Sequence, residues 1–302
     1  MKVAFKTWNP RGEALEQVRQ ANAICAEYAN QGYDLTLRQL FYQFVSRDLI
    51  PNTQRAYKNL GTVVDKARLA GLLDWNYIVD RTRNAFRTDG ADTSPEDAVR
   101  AMADAYQRAL WDDQPWHVEV WVEKEALAGV IQRAASEVGV IYFSCRGYVS
   151  QSEMYSAGRR FKSWSQSGKQ NLLIHLGDHD PSGIDMTRDI NERVNMFSWP
   201  ADVEVKRIAL NMDQIDQYQP PPNPAKLTDS RFEAYEAQFG DESWELDALE
   251  PQVLHDLIVQ EVLTVRDQEL WDAAEQRQED ERSALISVSD NWSEIVAQGL
   301  AG

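Results

Sequence analysis

Two aspartates in the middle of the chain stand where parallel-sheet proteins place their ligands. Asp178 and Asp180 follow an apolar, strand-like run at 172–176 and precede an amphipathic helical pattern. Side chains two residues apart point the same way from an extended strand end, and open α/β sheets bind ligands at the carboxyl ends of their strands. A bare Asp-x-Asp is usually an ordinary turn, but the strand before and the helix after favour a site here. Ser182 and Asp185 are predicted to cap that helix.

A third carboxylate, Glu123, directly follows another apolar run at 117–122. If the two strands are neighbours, Glu123 joins Asp178 and Asp180 in one crevice. Three carboxylates in one crevice repel each other and resist full ionisation. A hard divalent cation removes that conflict, and Mg²⁺ is commonly held by one or two carboxylates together with phosphate oxygens. The sequence therefore predicts a Mg²⁺ site formed by Glu123, Asp178 and Asp180.

The elements that must position these residues alternate between strand and helix. Strands are predicted at 117–122, 140–144, 172–176 and 203–210, and helices at 126–138, 152–164 and 184–196. Such alternation indicates an α/β fold with a largely parallel, Rossmann-like sheet. A helical, acidic tail is predicted from about residue 245 to the end.

The N-terminal part follows a different pattern. Helices are predicted at 11–31, from Thr36 to Pro51, and at 53–70; the second opens with the capping-box pattern Thr-Leu-Arg-Gln. The third presents Arg55, Lys58 and Lys66 on the face opposite its apolar side. Short helices with a basic outer face are typical of helix-turn-helix or winged-helix modules. Residues 88–98 are small and polar and are predicted to be a linker, which gives domains at 1–95 and 96–302. A helix is predicted from about residue 95 to 111.

Charge is unevenly distributed along the 302 residues. The net charge is −17, which argues against a protein that passively coats phosphates. Residues 38–87 nevertheless carry nine basic against four acidic residues, whereas residues 229–282 carry seventeen acidic against four basic. One part of the chain could therefore meet a polyanion while another would repel it.

Several classes of protein are excluded by composition. No apolar run approaches the ~18 residues of a membrane helix, and the N-terminus lacks the pattern of a secretory signal. Cys25 and Cys145 form neither a metal-type pair nor a disulfide framework, which suits a reducing cytoplasm. We therefore expect a cytoplasmic protein without a membrane partner.

The acidic residues also carry a resemblance to a known family. A Glu at the end of a first strand, followed by Asp-x-Asp-Pro-x-Gly after a later strand, resembles the toprim domain of topoisomerases, primases and some nucleases. Gly147-Tyr148 and the segment Glu-Leu-Asp-Ala-Leu at 245–249 resemble topoisomerase VI A subunits and the related meiotic double-strand-break transesterase. The resemblance extends from about residue 34 to 270 and is closest to compact, stand-alone A-subunit-like proteins of bacteria and phages.

The resemblance implies a role for a tyrosine in the N-terminal module. The family carries Arg-x-x-(Tyr/Phe)-Tyr on a winged-helix domain, and its last Tyr is the nucleophile; here the segment is Arg38-Gln39-Leu40-Phe41-Tyr42. Arg38 and Tyr42 are four residues apart and share a helix face. Because a phenol with a pKa near ~10 is a weak nucleophile, we expect the guanidinium to favour the phenolate and to grip the attacked phosphate.

The implied reaction is Mg²⁺-dependent DNA cleavage by transesterification, with a 5′-phosphotyrosyl link to Tyr42 and a free 3′-hydroxyl. Glu123 would hold metal and move a proton at the 3′-oxygen. The phosphate contacts are predicted from Arg55, Lys58, Lys66, Lys124 and Arg146. Lys226 is a further candidate contact, although exposure to solvent explains a lysine there equally well. The family works on double-stranded DNA as a homodimer in which the tyrosine of one protomer meets the toprim site of the other. Strand passage by such a type IIB topoisomerase would need a separate ATPase subunit, because this chain has no glycine-rich phosphate loop.

Two other interpretations stay open. A toprim nuclease would keep the metal site but use water in place of Tyr42. A non-enzymatic DNA-binding subunit would leave the site vestigial, against which the three intact carboxylates argue. The histidines His117, His175, His179 and His255 are predicted to pack or to hydrogen bond and not to bind metal.

Overall fold

The computed structural model of the chain describes residues 2–79, 94–225 and 228–299. Lys226, one of the predicted phosphate contacts, lies outside these residues, as do Arg81, Arg83 and Arg87 of the basic stretch.

The N-terminal part is built from three helices. They are α1 (Glu13–Asn30), α2 (Leu37–Ser46) and α3 (Gln54–Leu69). The predicted capping box opens α2, because Thr36 Oγ1 accepts the backbone N–H of Gln39 while Gln39 Oε1 accepts the N–H of Thr36. Within residues 2–79 the only β-structure is isolated bridges, so the described part of this module shows the helices of the predicted winged helix without a β-hairpin.

The predicted linker is in part a helix. Helix α4 (Pro95–Ala105) begins inside it, with Ser94 Oγ accepting the N–H of Asp97 and Pro95 at the first helical position. A serine cap followed by proline is a standard helix start, so the helix predicted from about residue 95 is confirmed, although it ends at Ala105, and the linker prediction is wrong for residues 94–98. The rest of the linker lies outside the described residues, and the domain boundary at 95/96 stays a prediction.

The central sheet confirms the α/β prediction. Its four strands are β1 (Trp116–Val122), β2 (Ile141–Ser144), β3 (Gln170–Leu176) and β4 (Glu204–Ala209). They are all parallel in the order β2-β1-β3-β4. The helices that connect them are α5 (Ala128–Glu137), α6 (Gln151–Gln166) and α7 (Pro181–Ser198). This arrangement is Rossmann-like, and the carboxyl ends of all four strands meet at one edge.

The sheet is covered on both faces, as parallel sheets are. Val118, Val120 and Val122 of β1 belong to a buried apolar cluster that includes α5 and extends into α1–α3. Trp121, which points the other way, belongs to a second cluster with α6 and α7. Gly158 lets these two helices approach, because a Cβ there would lie 2.4 Å from Phe197 Cβ.

The chain ends in a largely helical, acidic region, as predicted. It contains α8 (Met212–Tyr218), α9 (Phe232–Phe239), α10 (Pro251–Leu263), α11 (Gln268–Asp290) and α12 (Trp292–Gly299). A short antiparallel pair, β5 (Asn223–Pro224) and β6 (Glu242–Ser243), precedes a 3₁₀ turn at Leu246–Ala248. The region is not a loose tail, because α10 packs on α5 and β4, and α11 packs on α4.

Candidate active site

Strands β1 and β3 bring the first two predicted carboxylates together. The strands are neighbours in register from Trp116↔Gln170 to Val122↔Leu176, which meets the condition that the predicted crevice required. The residues that follow them, Glu123 and Gly177-Asp178, therefore emerge side by side at the carboxyl edge of the sheet.

Glu123 is fixed by the loop that carries Asp178. Glu123 Oε2 accepts the backbone N–H of Asp178 at 2.9 Å. The fit is tight, because a Cβ at Gly177 would lie 2.9 Å from the same oxygen. Burial raises the pKa of Glu123; the hydrogen bond from Asp178 opposes this rise, and the charge of Asp180 adds to it. Glu123 is therefore able to hold or release a proton at the crevice.

Asp178 does not face Glu123 alone but joins two carboxylates from later in the chain. Ligand oxygens of Asp178, Glu245 and Asp247 all lie within 4.8 Å of one another, so this acidic cluster could hold a metal ion. Asp178 Oδ1 also accepts the N–H of Leu246 at 2.8 Å. Burial raises the pKa of Asp178 to about 8, with Lys124 acting against the rise and Glu123 adding to it.

The metal prediction missed Glu245 and Asp247 as members of this cluster. The signal that could have found them is the spacing Glu-x-Asp in the segment that follows β6, which repeats the two-residue spacing of Asp178 and Asp180. That segment is held against the Asp178 loop by two backbone hydrogen bonds of 2.9 Å between His179 and Trp244.

Asp180 caps helix α7, a role that was predicted for Ser182 and Asp185. It is the N-cap of α7, with Oδ1 accepting the N–H of Gly183 at 2.6 Å and the hydroxyl of Ser182 at 2.9 Å. The predicted Ser182–Asp185 cap is therefore wrong, since Asp185 instead pairs with Arg188 at 2.7 Å. Asp180 lies outside the group formed by Asp178, Glu245 and Asp247, as does Glu123.

Two side chains that were predicted to contact DNA phosphates are held by the acidic cluster. Lys124 Nζ lies 2.9 Å from Asp178 Oδ1 and 3.1 Å from Asp247 Oδ1, and it also contacts Glu245. Arg38 Nη2 lies 2.8 Å from Glu245 Oε2, and its Nε lies 2.9 Å from Asp247 Oδ2. Burial alone would lower the pKa of Lys124, but the three carboxylates raise it. Lys124 and Arg38 therefore neutralise carboxylates in this structure and are not free to bind a phosphate.

Tyr42 lies beside this cluster on α2. Its side chain is 4% exposed, and it lines a cavity of about 260 Å³ together with Arg38, Tyr57 and Glu245. The guanidinium carbon of Arg38 is 5.8 Å from the centre of the Tyr42 ring.

The charge of Arg38 lowers the pKa of Tyr42, as expected, but it is outweighed and the pKa of Tyr42 rises. Burial raises the pKa of Tyr42, and the charges of Glu245 and Asp247 raise it further against Arg38. The physical reason is that Arg38 pairs with those two carboxylates, whose negative charges offset the effect of the guanidinium on the phenol. Tyr42 is therefore a protonated phenol in this conformation.

The other described residues that were predicted to contact phosphates lie on the surface. Arg55, Lys58 and Lys66 are exposed on α3, as predicted. Arg146 has a left-handed backbone with φ of 54°, pairs with Glu125, and lines a second cavity of about 370 Å³. Glu123, Lys124 and Asp247 line that cavity too, so it adjoins the acidic cluster.

The histidines near the site are neutral and hydrogen bonded. Burial lowers the pKa of His175 to about 3 and that of His179 to about 4. His175 Nδ1 contacts Thr187 Oγ1 at 2.8 Å, and His179 Nδ1 contacts Tyr235 Oη at 2.7 Å. His117 and His255, farther along the fold, contact Glu119 and Glu137.

No protein-family model, curated protein or solved structure matches the chain. Among the described helices, none is both long and apolar enough to cross a membrane.

Proposed function

We propose that this protein cleaves DNA by a cation-assisted transesterification in which Tyr42 is the nucleophile. The observation that carries the proposal is that one carboxylate serves two neighbouring features. Glu245 lines the cavity of Tyr42 and also belongs to the acidic cluster with Asp178 and Asp247. A phosphodiester in that cavity would meet a nucleophile on one side and a cation site on the other.

The reaction exchanges one phosphodiester for another and consumes no water. The phenolic oxygen of Tyr42 bonds to phosphorus while its proton passes to solvent, and the bond from phosphorus to the 3′-oxygen breaks. The raised pKa of Glu123 suits it to return a proton to the leaving 3′-oxygen. Because burial and the charges of Glu245 and Asp247 raise the pKa of Tyr42, activation of the phenol requires that the charges of these two carboxylates be offset.

A divalent cation fits the acidic cluster by the chemistry of its donors. Asp178, Glu245 and Asp247 offer only carboxylate oxygens, the ligands that Mg²⁺ prefers. Such a cation would supply stabilisation of the charge that develops on the attacked phosphate. Asp178, Glu245 and Asp247 would hold it, and the ammonium of Lys124, which now pairs with all three, would be displaced.

A water-dependent nuclease is the second candidate, and the burial of Tyr42 favours it. A side chain that is 4% exposed, with a raised pKa, is a poor nucleophile until the surrounding structure opens. In this alternative the acidic cluster is kept and water attacks the phosphate, so no protein–DNA bond forms.

Plasmid cleavage with one matched pair of variants decides between the two. Wild type, Tyr42→Phe and Tyr28→Phe are incubated with supercoiled DNA and Mg²⁺ or Mn²⁺, and the products are resolved on denaturing gels after phenol extraction. Tyr28 is buried in α1, so Tyr28→Phe controls for the removal of a buried tyrosine hydroxyl away from the site. Transesterification predicts protein-linked DNA ends that only Tyr42→Phe abolishes. Cleavage that Tyr42→Phe leaves intact, without linked ends, would establish the nuclease.

The macromolecular partners follow from the same proposal. The exposed Arg55, Lys58 and Lys66 are suited to the phosphates of double-stranded DNA. A homodimer, in which Tyr42 of one copy acts with the acidic cluster of the other, stays a prediction, and a separate ATPase subunit would be needed only for strand passage. Light scattering with and without a short DNA duplex measures the molecular mass in solution and so tests the homodimer.

A further inference from the structure

Arg207 on β4 sends its guanidinium to the loop that carries the acidic residues. Its Nη2 donates to the carbonyls of Gly177 at 2.9 Å and Asp178 at 2.7 Å. Its Nη1 donates to the carbonyl of Gly183 at 3.1 Å and to Thr187 Oγ1 at 2.9 Å. One side chain therefore grips both ends of the Gly177–Gly183 loop.

These contacts are unusual for an arginine. Among the described residues, no carboxylate oxygen lies within ion-pair distance of Arg207, although guanidinium groups normally pair with carboxylates when buried. Burial lowers the pKa of Arg207 to about 10, and the charges that oppose this fall are Glu123, Asp178 and Asp180. The guanidinium stays charged at neutral pH, and the carboxylates that favour its charged form are the predicted metal ligands.

The loop that Arg207 grips has little freedom to move. A Cβ at Gly183 would lie 2.2 Å from the carbonyl oxygen of Asp178, so α7 begins in direct contact with the backbone of Asp178. The same Asp178 carbonyl accepts from Arg207, and the N–H of Gly183 is capped by Asp180. The guanidinium thus fixes the backbone from which both aspartates project.

The grip continues to a buried histidine. Thr187 Oγ1 accepts from Arg207 and is also hydrogen bonded to His175 Nδ1 at 2.8 Å. The chain of hydrogen bonds from Arg207 through Thr187 to His175 connects β4, α7 and β3. Arg207 is consequently held in place from the side away from the loop.

We infer that Arg207 is a positioning residue that sets the geometry of the carboxylates at this site and thereby the affinity for a divalent cation. The inference rests on the proposed function, because it assigns to Asp178 and its neighbours the role of holding a cation. It is supported by the four donor contacts above and by the close approach of Gly183 to Asp178.

Direct titration with Mn²⁺, followed by the electron paramagnetic resonance of the free ion and by calorimetry, tests the inference without DNA. Arg207→Lys keeps the charge but loses the forked donor geometry. We expect it to weaken the Mn²⁺ affinity by about 10-fold to 100-fold, the usual effect of losing a group that orients metal ligands. The control is Lys206→Met, which removes a charge at the adjacent position, where Lys206 pairs with Glu261 and not with the loop. It should leave the affinity unchanged.

The outcomes separate the inference from the proposed function. Wild-type protein that binds no Mn²⁺ would overturn the proposed cation site itself. Wild type that binds, with a folded Arg207→Lys variant of equal affinity, would overturn only the role of Arg207. Should Arg207→Lys fail to fold, Thr187→Val removes one acceptor of the guanidinium. A Thr187→Val affinity at least about threefold weaker supports the inference, and a wild-type affinity contradicts it.

Discussion

The ammonium of Lys124 occupies the place among the carboxylates that a divalent cation would take. A variant without this ammonium should therefore be stabilised by a divalent cation more than the wild type is. The side chain contacts Asp178, Glu245 and Asp247, and burial keeps solvent from screening these charges. Lys124→Met preserves the volume of the side chain but leaves Arg38 as the one remaining cation paired with this cluster among the described residues.

The cost follows from the loss of one partner in a buried ionic network. Breaking such a network destabilises a protein by about 3–5 kcal/mol, because the remaining charges stay buried without compensation. An unfolding entropy of about 2.1 cal/mol/K per residue makes each kcal/mol worth about 1.6 °C for a chain of 302 residues that unfolds as one unit. We therefore expect Lys124→Met to unfold about 5–8 °C below wild type in a chelator.

A divalent cation should restore much of this loss. At a hundred times its dissociation constant, a ligand of the folded state adds about 2.7 kcal/mol, which corresponds to about 4 °C here. Differential scanning calorimetry with a chelator, Mg²⁺ or Mn²⁺ measures the shift, and Lys206→Met controls for the loss of a lysine from an exposed ion pair. Wild type should gain less than Lys124→Met, because the ammonium must first be displaced. Equal shifts, or none in either protein, would refute the competition between ammonium and metal.

Three further predictions address other parts of the molecule. Burial opposes ionisation of Glu119, but hydrogen bonds and charge from Arg160 lower its pKa to about 2. The resulting stability, about 3 kcal/mol, is present above pH 4.5 and is lost as the pH falls towards 2. In urea titrations, Glu119→Gln should therefore be far less stable than wild type at pH 7 and nearly equal at pH 2; an equal difference at both pH values would contradict this. Gly183→Ala should cost at least about 1–3 kcal/mol and impair cleavage, since its Cβ would meet backbone, whereas Gly61→Ala should be tolerated because its Cβ meets a flexible leucine side chain; equal stabilities would refute this packing account. Lys66→Ala should weaken duplex binding equally for all sequences and reduce the salt slope by about 1, measured by fluorescence anisotropy, and an unchanged slope would remove Lys66 from the interface.

The sheet and its acidic edge were accessible from the sequence because their determinants are local. Two apolar runs of strand length, each followed by an acidic residue, are enough to place Glu123 and Asp178 at one edge when the strands are parallel and adjacent. The Thr36 capping box was readable for the same reason, since all of its partners lie within four residues.

The composition of the acidic cluster was not accessible, because it depends on contacts distant in sequence. Glu245 and Asp247 reach Asp178 across more than sixty residues, through a short segment bridged to His179. Asp180 shows the limit of a local pattern: Asp-Pro-x-Gly is also a helix start, and in the structure the aspartate caps α7. The roles of Lys124 and Arg38 depend on which charges they meet in space, and the sequence alone could not choose between phosphate and carboxylate.

The most direct test of the central proposal is to identify the amino acid that becomes linked to DNA. The protein is incubated with a duplex and Mg²⁺ or Mn²⁺, denatured, digested with trypsin and nuclease, and analysed by mass spectrometry for peptides that carry a nucleotide. The proposal predicts a nucleotide on Tyr42, joined through the 5′-phosphate. DNA that is cut while every tyrosine peptide keeps its unmodified mass would contradict it.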